Sequence, residues 1–550
     1  MANLYSIPAM RGGIVISWRL ERSMKRTFGT IFIGLILVAL LGGSTDLLHS
    51  GSAAQNQRLD LLIRGGRVID GLGGDPVVAD IGISGDRILF IGDAAREKRQ
   101  AGRVIEAKGL VVAPGFIDPH THAAEDLGTM SGHSNQNFLF QGVTTVVTGN
   151  DGSGPLPIGA TLKRWQDQGI GTNAVLYIGH GSVRQRVMGM SDAAPTAEQL
   201  EKMRSLVREG MAEGAFGMST GLYYAPGSYA KTAEVVELAK VVAGLGGVYD
   251  THMRDESTYN IGVLDSIRET IEIGRQARLP VHISHIKMLG VDVWGRSDEA
   301  IGIIEAARRE GIAVTANQYP YTASGTSLTA ALVPRWAEVG GNGELLKRID
   351  DPAIRPRLIA EMEINLKRRG GADSLLITRT RDLSLVGKRL DAIARARGKS
   401  AIETALEIIR EGGAGVASFN MSEKDIENFM KQPWVMTGSD GSSGHPRKYG
   451  TYPRKISDYV IKRRVISLPR MIEASSRQVA AELRIPERGR IATGWYADLI
   501  VFDEKTIAEK ATYEQPEVLS TGMRYVLVNG KLAIDNGQYT GALAGRALKK

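Results

Sequence analysis

The chain's 550 residues, 43% hydrophobic and 23% charged, suffice for one barrel-sized domain with a smaller companion. A formal net charge of +8, carried by scattered basic residues without an aromatic-plus-basic ladder, argues against a nucleic-acid partner. With no cysteine anywhere, disulfides, lipoprotein attachment and thiolate metal ligands are excluded.

Residues 1–55 carry a targeting pattern. Lys25 and Arg26 precede an apolar run from Ile31 to Leu41, and Ser52-Ala53-Ala54 resembles a small-residue cleavage site. Met24, just before the basic pair, would serve as the start of such a signal. The apolar core is short for a transmembrane helix, so the expectation is an exported protein, periplasmic or secreted. It would touch a membrane only through this signal, if the signal stays uncleaved.

From 56 to 113 short alternating strands dominate, among them Leu61–Asp70, Asp80–Ile83 and Arg87–Ile91, separated by Gly71, Gly73, Gly74 and Asp86. The same texture returns over 488–550, in Ala497–Phe502 and Tyr525–Lys531. The two ends are expected to pair into one small β-sandwich beside a central domain.

Between them, over 114–487, strand and helix alternate. Val143–Val147, Ala174–Ile178, Gly247–Tyr249, Val281–Ser284, Ile312–Thr315 and Trp434–Met436 read as short buried strands. Helical stretches lie between them, such as Ala197–Glu213, Thr232–Leu245, Ser257–Ala277 and Ser297–Glu310. This predicts an α/β fold of the TIM-type (β/α)8 barrel class, in which all strand C-termini share one mouth. A doubly wound open sheet is the alternative. The charged, weakly patterned stretch of about 322–398 predicts an inserted subdomain near that mouth.

Polar residues gather where these strands should end. The apolar run Leu110–Ile117 delivers His120 and His122, which share one face of an extended chain. Asn150-Asp151-Gly152 follows the strand at Val143, His252 with Arg254-Asp255-Glu256 follows Val248-Tyr249, and His285-Ile286-Lys287 follows Val281. Asn317-Gln318-Tyr319 follows Val314, and Ser439-Asp440-Gly441 follows Val435-Met436, with His445-Pro446-Arg447 just beyond. Singly, each has an ordinary structural explanation. Together, His120, His122, Asp151, His252, His285 and Asp440 at one mouth point to a metal-dependent hydrolase. Imidazoles and carboxylates suit zinc, and a bound divalent metal lowers the pKa of its water toward ~7. A nearby carboxylate must then take that proton and return it to the leaving nitrogen, a role expected of Asp440.

At this point the chain resembles the amidohydrolase superfamily, and within it the N-acyl-D-amino-acid deacylases (D-aminoacylases), over about residues 58–545. The marks are Pro114–His122, Gly221–Gly227, Thr251–Glu256, Ser284–Lys287, Gln318–Thr322 and Ser439–Gly441 with His445–Arg447 and Tyr449–Thr451. The resemblance implies hydrolysis of N-acyl-D-amino acids to a D-amino acid and a carboxylate, by metal-bound hydroxide with Asp440 as general base and acid. It further implies one zinc held tightly by His252 and His285, with His120 and His122 lining a second, weaker position. Lys287, Tyr319 and Arg447 would contact a small-molecule substrate, the two basic residues receiving its free carboxylate.

One departure matters: the family places a cysteine ligand where this chain has Asp151. The expectation is that Asp151 stays a ligand, with weaker zinc retention or a different preferred metal. Asn317, in place of an acidic residue before Gln318, is a lesser departure. Two other readings stand beside the deacylase: a hydrolase of another amide, cyclic amide or dipeptide-like substrate, and an exported binding protein that has lost catalysis. His133, His180 and His282 are expected to be structural.

Overall fold

The computed structural model describes residues 58–550, so the expected export signal lies outside the described residues. Among the described residues no helix is long and apolar enough to cross a membrane.

The N-terminal strands are β1 (Leu59–Val68), β2 (Val77–Ser84), β3 (Arg87–Gly92), β4 (Ala101–Glu106) and β5 (Val111–Pro114). β1 breaks register between Ile63 and Gly66. Its first half pairs in parallel with β4 and its second half with β5, so one bulged strand takes two partners in turn.

The barrel strands follow: β6 (Phe116–Asp118), β7 (Val143–Thr148), β8 (Asn173–Leu176), β9 (Ile178–Gly179), β10 (Gly217–Gly221), β11 (Val248–His252), β12 (Val281–Ile283) and β13 (Val314–Gln318). An insertion contributes β14 (Ala323–Ser327), β15 (Leu375–Thr380) and β16 (Ala414–Phe419) before β17 (Val435–Thr437) returns to the barrel. The C-terminal strands are β18 (Leu499–Phe502), β19 (Met523–Val528), β20 (Lys531–Asp535) and β21 (Gln538–Tyr539).

One parallel sheet runs β6-β7-β8 and another β9-β10-β11-β12-β13-β17. β8 and β9 are two halves of one strand, interrupted only at Tyr177, so the two sheets together make eight strand positions. The far edges meet as well: Thr121 bridges Gly441 in parallel, and the Asp440 amide donates to the His120 carbonyl at 2.9 Å. The circuit therefore closes at the mouth. Nearly every barrel-strand residue is buried, as expected when a parallel sheet has helices on one face and a packed interior on the other.

The outer helices are amphipathic. Helix Ala197–Ala212 starts on a capping box in which Thr196 and Gln199 satisfy each other's backbone donors, and it buries Met203, Val207 and Met211.

The termini meet through β5, which pairs with β1 on one side and antiparallel with β18 on the other, giving a nine-stranded sheet in all. Its core includes Ile63, Ile81, Ile83, Val112, Leu499, Val501 and Leu527. Not all of 488–550 belongs to it. Glu509 and Tyr513, between β18 and β19, reach the barrel mouth, where Glu509 accepts from Tyr321 Oη at 2.7 Å and Tyr513 packs on His445 at 5.1 Å. The last residues run along β8, with Ala547 bridging Ala174.

Two sequence readings differ from the structure in detail. The insertion does not stop near 398: β16 is the middle strand of its sheet, in the order β14-β16-β15, and the insert core runs from Leu328 to Val416. β10 was not anticipated, because Gly-Met-Ser-Thr-Gly has neither an apolar run nor alternation. It is a strand because tight neighbours leave no room for larger side chains. A Cβ on Gly217 would sit 2.1 Å from the Val248 carbonyl oxygen.

Candidate metal centre

Every residue singled out from the sequence as a metal ligand or base arrives at the same mouth. β6 ends on Asp118, which accepts from the His120 amide at 3.2 Å and the Ser439 amide at 3.0 Å, tying the ends of β6 and β17 together. β11 ends on His252, β12 is followed by His285, and β17 by Asp440. Asp151, His285 and Asp440 all hold left-handed backbone, with φ of 56°, 34° and 48°. Such conformations cost energy for residues with a Cβ and persist where the surroundings impose them, as functional sites do. Around Asp151 the constraint is visible: a Cβ on Gly221 would sit 2.1 Å from its carbonyl oxygen, so its loop lies directly on the end of β10.

Asp151 stands at the centre. Its Oδ1 is 3.4 Å from His120 Nε2, 3.4 Å from His285 Nε2 and 3.7 Å from His252 Nδ1, while Oδ2 is 3.6 Å from His122 Nε2. Asp440 Oδ1 lies 3.1 Å from His122 Nε2 and 3.7 Å from His120 Nε2. One ligating atom each from His120, Asp151, His285 and Asp440 fall within 4.8 Å of one another. Both ring nitrogens of His120, and Asp151 Oδ1, are buried without a hydrogen bond among the described residues. Buried polar atoms are rarely left so, and His and carboxylate donors converging on a common point fit a divalent cation. Burial would raise Asp151, but His120 and the other imidazoles outweigh it and hold its carboxyl well below the ordinary range.

The three residues read as substrate contacts line the same chamber. Arg447 Nη1 is 2.8 Å from Asp440 Oδ2, and its guanidinium lies 4.6 Å from the Tyr319 ring centroid. Lys287 Nζ lies 5.7 Å from that centroid and donates to Glu256 Oε1 at 2.6 Å. All three are almost wholly buried. Burial would raise Asp440, yet the Arg447 guanidinium beside it keeps it ionised. The cavity has a volume of about 880 Å³ and extends from His122, Asp151 and Asp440 to Thr378–Arg381 and Gly412–Val416 of the insertion.

Several supporting residues take no role from the sequence alone. Glu256 sits 3.1 Å from His285 Nδ1 and 3.7 Å from His252 Nε2. Asp250 accepts from Ser284 Oγ at 2.8 Å and Asn150 Nδ2 at 3.1 Å, and burial pushes it up to about 7. The signal was present: Asp118 and Asp250 each precede a site histidine by two residues, so they share its strand face, and Glu256 follows His252 by four. Asn317 proves a support, accepting from the His285 amide at 2.9 Å and meeting His282 Nε2 at 2.8 Å. His180 faces Glu234 at 2.9 Å, His133 the Gly169 carbonyl at 2.8 Å and His282 the Thr315 hydroxyl at 2.8 Å, all outside the cluster.

An eight-stranded α/β barrel with imidazoles and carboxylates converging at its C-terminal mouth belongs to the class of metal-dependent barrel hydrolases. Residues 103–534 match the family model described as "Amidohydrolase family". The chain is 34% identical to a D-aminoacylase of Alcaligenes xylosoxydans xylosoxydans over 91% of its own length and 99% of that protein. It is 32% identical to an N-acyl-D-glutamate deacylase of the same organism, covering 86% of this chain and 93% of that one. Among solved structures it resembles the N-acyl-D-glutamate deacylase of Bordetella bronchiseptica, complexed with zinc and a phosphonate inhibitor. That match has a TM-score of 0.77 and 30% identity, over 90% of this chain and 100% of that one. The chain belongs to the amidohydrolase family.

Proposed function

We propose that the protein hydrolyses the amide bond of N-acyl-D-amino acids, releasing a D-amino acid and a carboxylate. The reading rests on one observation: a cluster of ligating atoms from His120, Asp151, His285 and Asp440 lies beside a buried Arg447–Asp440 pair. The relatives named as D-aminoacylase and N-acyl-D-glutamate deacylase support the substrate class.

His120, His122, Asp151, His252 and His285 would hold the metal, read as zinc, with one tight position and a weaker second one. Bound there, the metal would acidify a water and polarise the acyl carbonyl. The chain's own groups do the rest. Arg447 and Lys287 receive the substrate's free carboxylate, Arg by a planar fork and Lys by a point charge, while Tyr319 contacts the substrate beside them. Asp440, ionised beside Arg447, accepts a proton from the attacking water at Oδ1, the atom turned toward His120 and His122, and passes it to the leaving nitrogen. Burial of Arg447, Lys287, Tyr319 and Asp440 lowers the local dielectric, which strengthens each of these interactions.

The test is release of free amine from a panel of N-acetyl-D- and L-amino acids, with bound metal quantified on the same sample. Hydrolysis of D-substrates that chelation abolishes and zinc restores is the expected outcome. Cleavage only of cyclic amides, or turnover indifferent to chelators, would overturn the reading. The basic pair, apolar run and small-residue stretch in residues 1–55 support export, which N-terminal sequencing of the mature protein tests.

A further inference from the structure

Glu256, Lys287 and His285 form a buried triangle beside the metal cluster. Lys287 Nζ stands 2.6 Å from Glu256 Oε1 and 2.7 Å from His285 Nδ1, and the third side, Glu256 Oε1 to His285 Nδ1, is 3.1 Å. The residues are 4% exposed or less, so bulk water does not supply alternative partners. On its other edge, His285 turns Nε2 toward Asp151 Oδ1 at 3.4 Å and His252 Nδ1 at 2.9 Å.

A neutral imidazole carries one N–H, and the hydrogen bond at one nitrogen decides whether the other keeps its lone pair. Two neighbours compete for Nδ1. An ammonium donating into Nδ1 would place the ring proton on Nε2, where it would point at Asp151 and bar ligation. A carboxylate accepting from Nδ1–H leaves the Nε2 lone pair free.

We propose that Glu256 is the positioning residue that decides this contest: it draws the Lys287 ammonium to itself and accepts the Nδ1 proton, so that His285 presents a ligating Nε2. The same carboxylate thereby couples the metal-binding edge of the chamber to the lysine read as a substrate contact. The inference rests on His285 being a metal ligand, as proposed above.

The experiment measures zinc affinity of the metal-stripped full chain by competition with a chromophoric chelator. It is paired with histidine ring ¹⁵N shifts, which report the tautomer. Glu256→Ala is expected to weaken zinc roughly 10–100-fold, as loss of a partner behind a ligand histidine does. Glu256→Ala combined with Lys287→Met is expected to recover most of that loss, because the competing donor has gone. Lys287→Met alone is expected to bind zinc as tightly as wild type. If Glu256→Ala does not fold, Glu256→Leu takes its place in the same cycle with the same expected outcomes, since it fills the site while offering Nδ1 no acceptor.

A double variant no better than Glu256→Ala would make Glu256 merely structural and overturn the proposal, as would Glu256→Ala binding zinc like wild type. Wild type that binds zinc but releases no amine sinks the deacylase reading and leaves this one standing. Wild type that binds no zinc sinks both.

Discussion

Asp440 carries two demands that pull against each other. Its Oδ2 faces Arg447 at 2.8 Å and its Oδ1 faces His122 at 3.1 Å, so it is ionised, as a base must be, but stabilised in that form. Replacing it by Asn keeps size and shape while removing the proton acceptor. Asp440→Asn is therefore expected to lower kcat by roughly 10²–10⁴-fold with little change in the tightly held metal, read by steady-state kinetics and metal analysis together. Asp151 carries the opposite kind of role, touching four imidazoles rather than a cation. Asp151→Ala is expected to lose metal and activity together, whereas Asp151→Cys, with a softer donor, is expected to retain zinc more tightly than wild type during dialysis against chelator. Equal zinc retention in all three proteins would remove Asp151 from the ligand set. The histidines, Asp151 and Asp440 were legible because each follows an apolar run that ends at the mouth. The spacing of Glu256 four residues after His252 places it near the site but gives it no role, because the triangle it completes has its other corners about 30 residues away along the chain.

Between residue and molecule, the insertion meets the site through a close backbone approach. A Cβ on Gly325 of β14 would sit 3.0 Å from Arg447 Nη2, tight enough that the guanidinium would have to move. Because Arg447 is read as gripping the substrate carboxylate, Gly325→Ala is expected to raise KM about tenfold, with kcat and metal content little changed. An unaltered KM would mean that Arg447 yields freely or does not hold substrate. On an outer helix of the barrel, away from the metal cluster, a substitution should act only on stability. Thr196→Ala removes the capping box of helix Ala197–Ala212 and is expected to cost about 1 kcal/mol in urea unfolding, with activity unchanged. These elements differ in how far sequence could locate them. The capped, amphipathic helix announces itself by periodicity, and strands such as β7 by a short β-branched run. β10 does not, since its residues were fitted to neighbours crowding its backbone, and that information is wholly tertiary. The insertion's late strand β16 was missed for a related reason: its sheet partners, β14 and β15, lie far from it in sequence.

At the scale of the whole molecule, burial of the Lys455 amine ties global stability to pH. Lys455 is 1% exposed; its Nζ donates to Thr437 Oγ1 at 2.9 Å, where β17 ends. Burial, with Arg470 adding repulsion, lowers its pKa from 10.5 to about 7. The sign follows from proton counting. Below pH 7 both folded and unfolded chains hold the proton, and the folded state bears the full cost of the buried charge. Between pH 7 and 10.5 the unfolded chain holds one proton more, so stability rises with pH, by roughly 1.4 kcal/mol per unit while the difference is a whole proton. Above 10.5 neither state is charged and the contribution is constant. Lys455→Met removes the group while filling the same space. Its stability advantage over wild type is expected to be largest below pH 7 and to shrink steadily toward pH 10, measured by urea unfolding at each pH. The metal must be kept saturating throughout, because ligand binding to the folded chain adds its own pH-dependent stabilisation. An advantage that stays level across that range would mean that Lys455 remains charged in the folded protein, and that the site beneath β17 is wetter than its packing indicates.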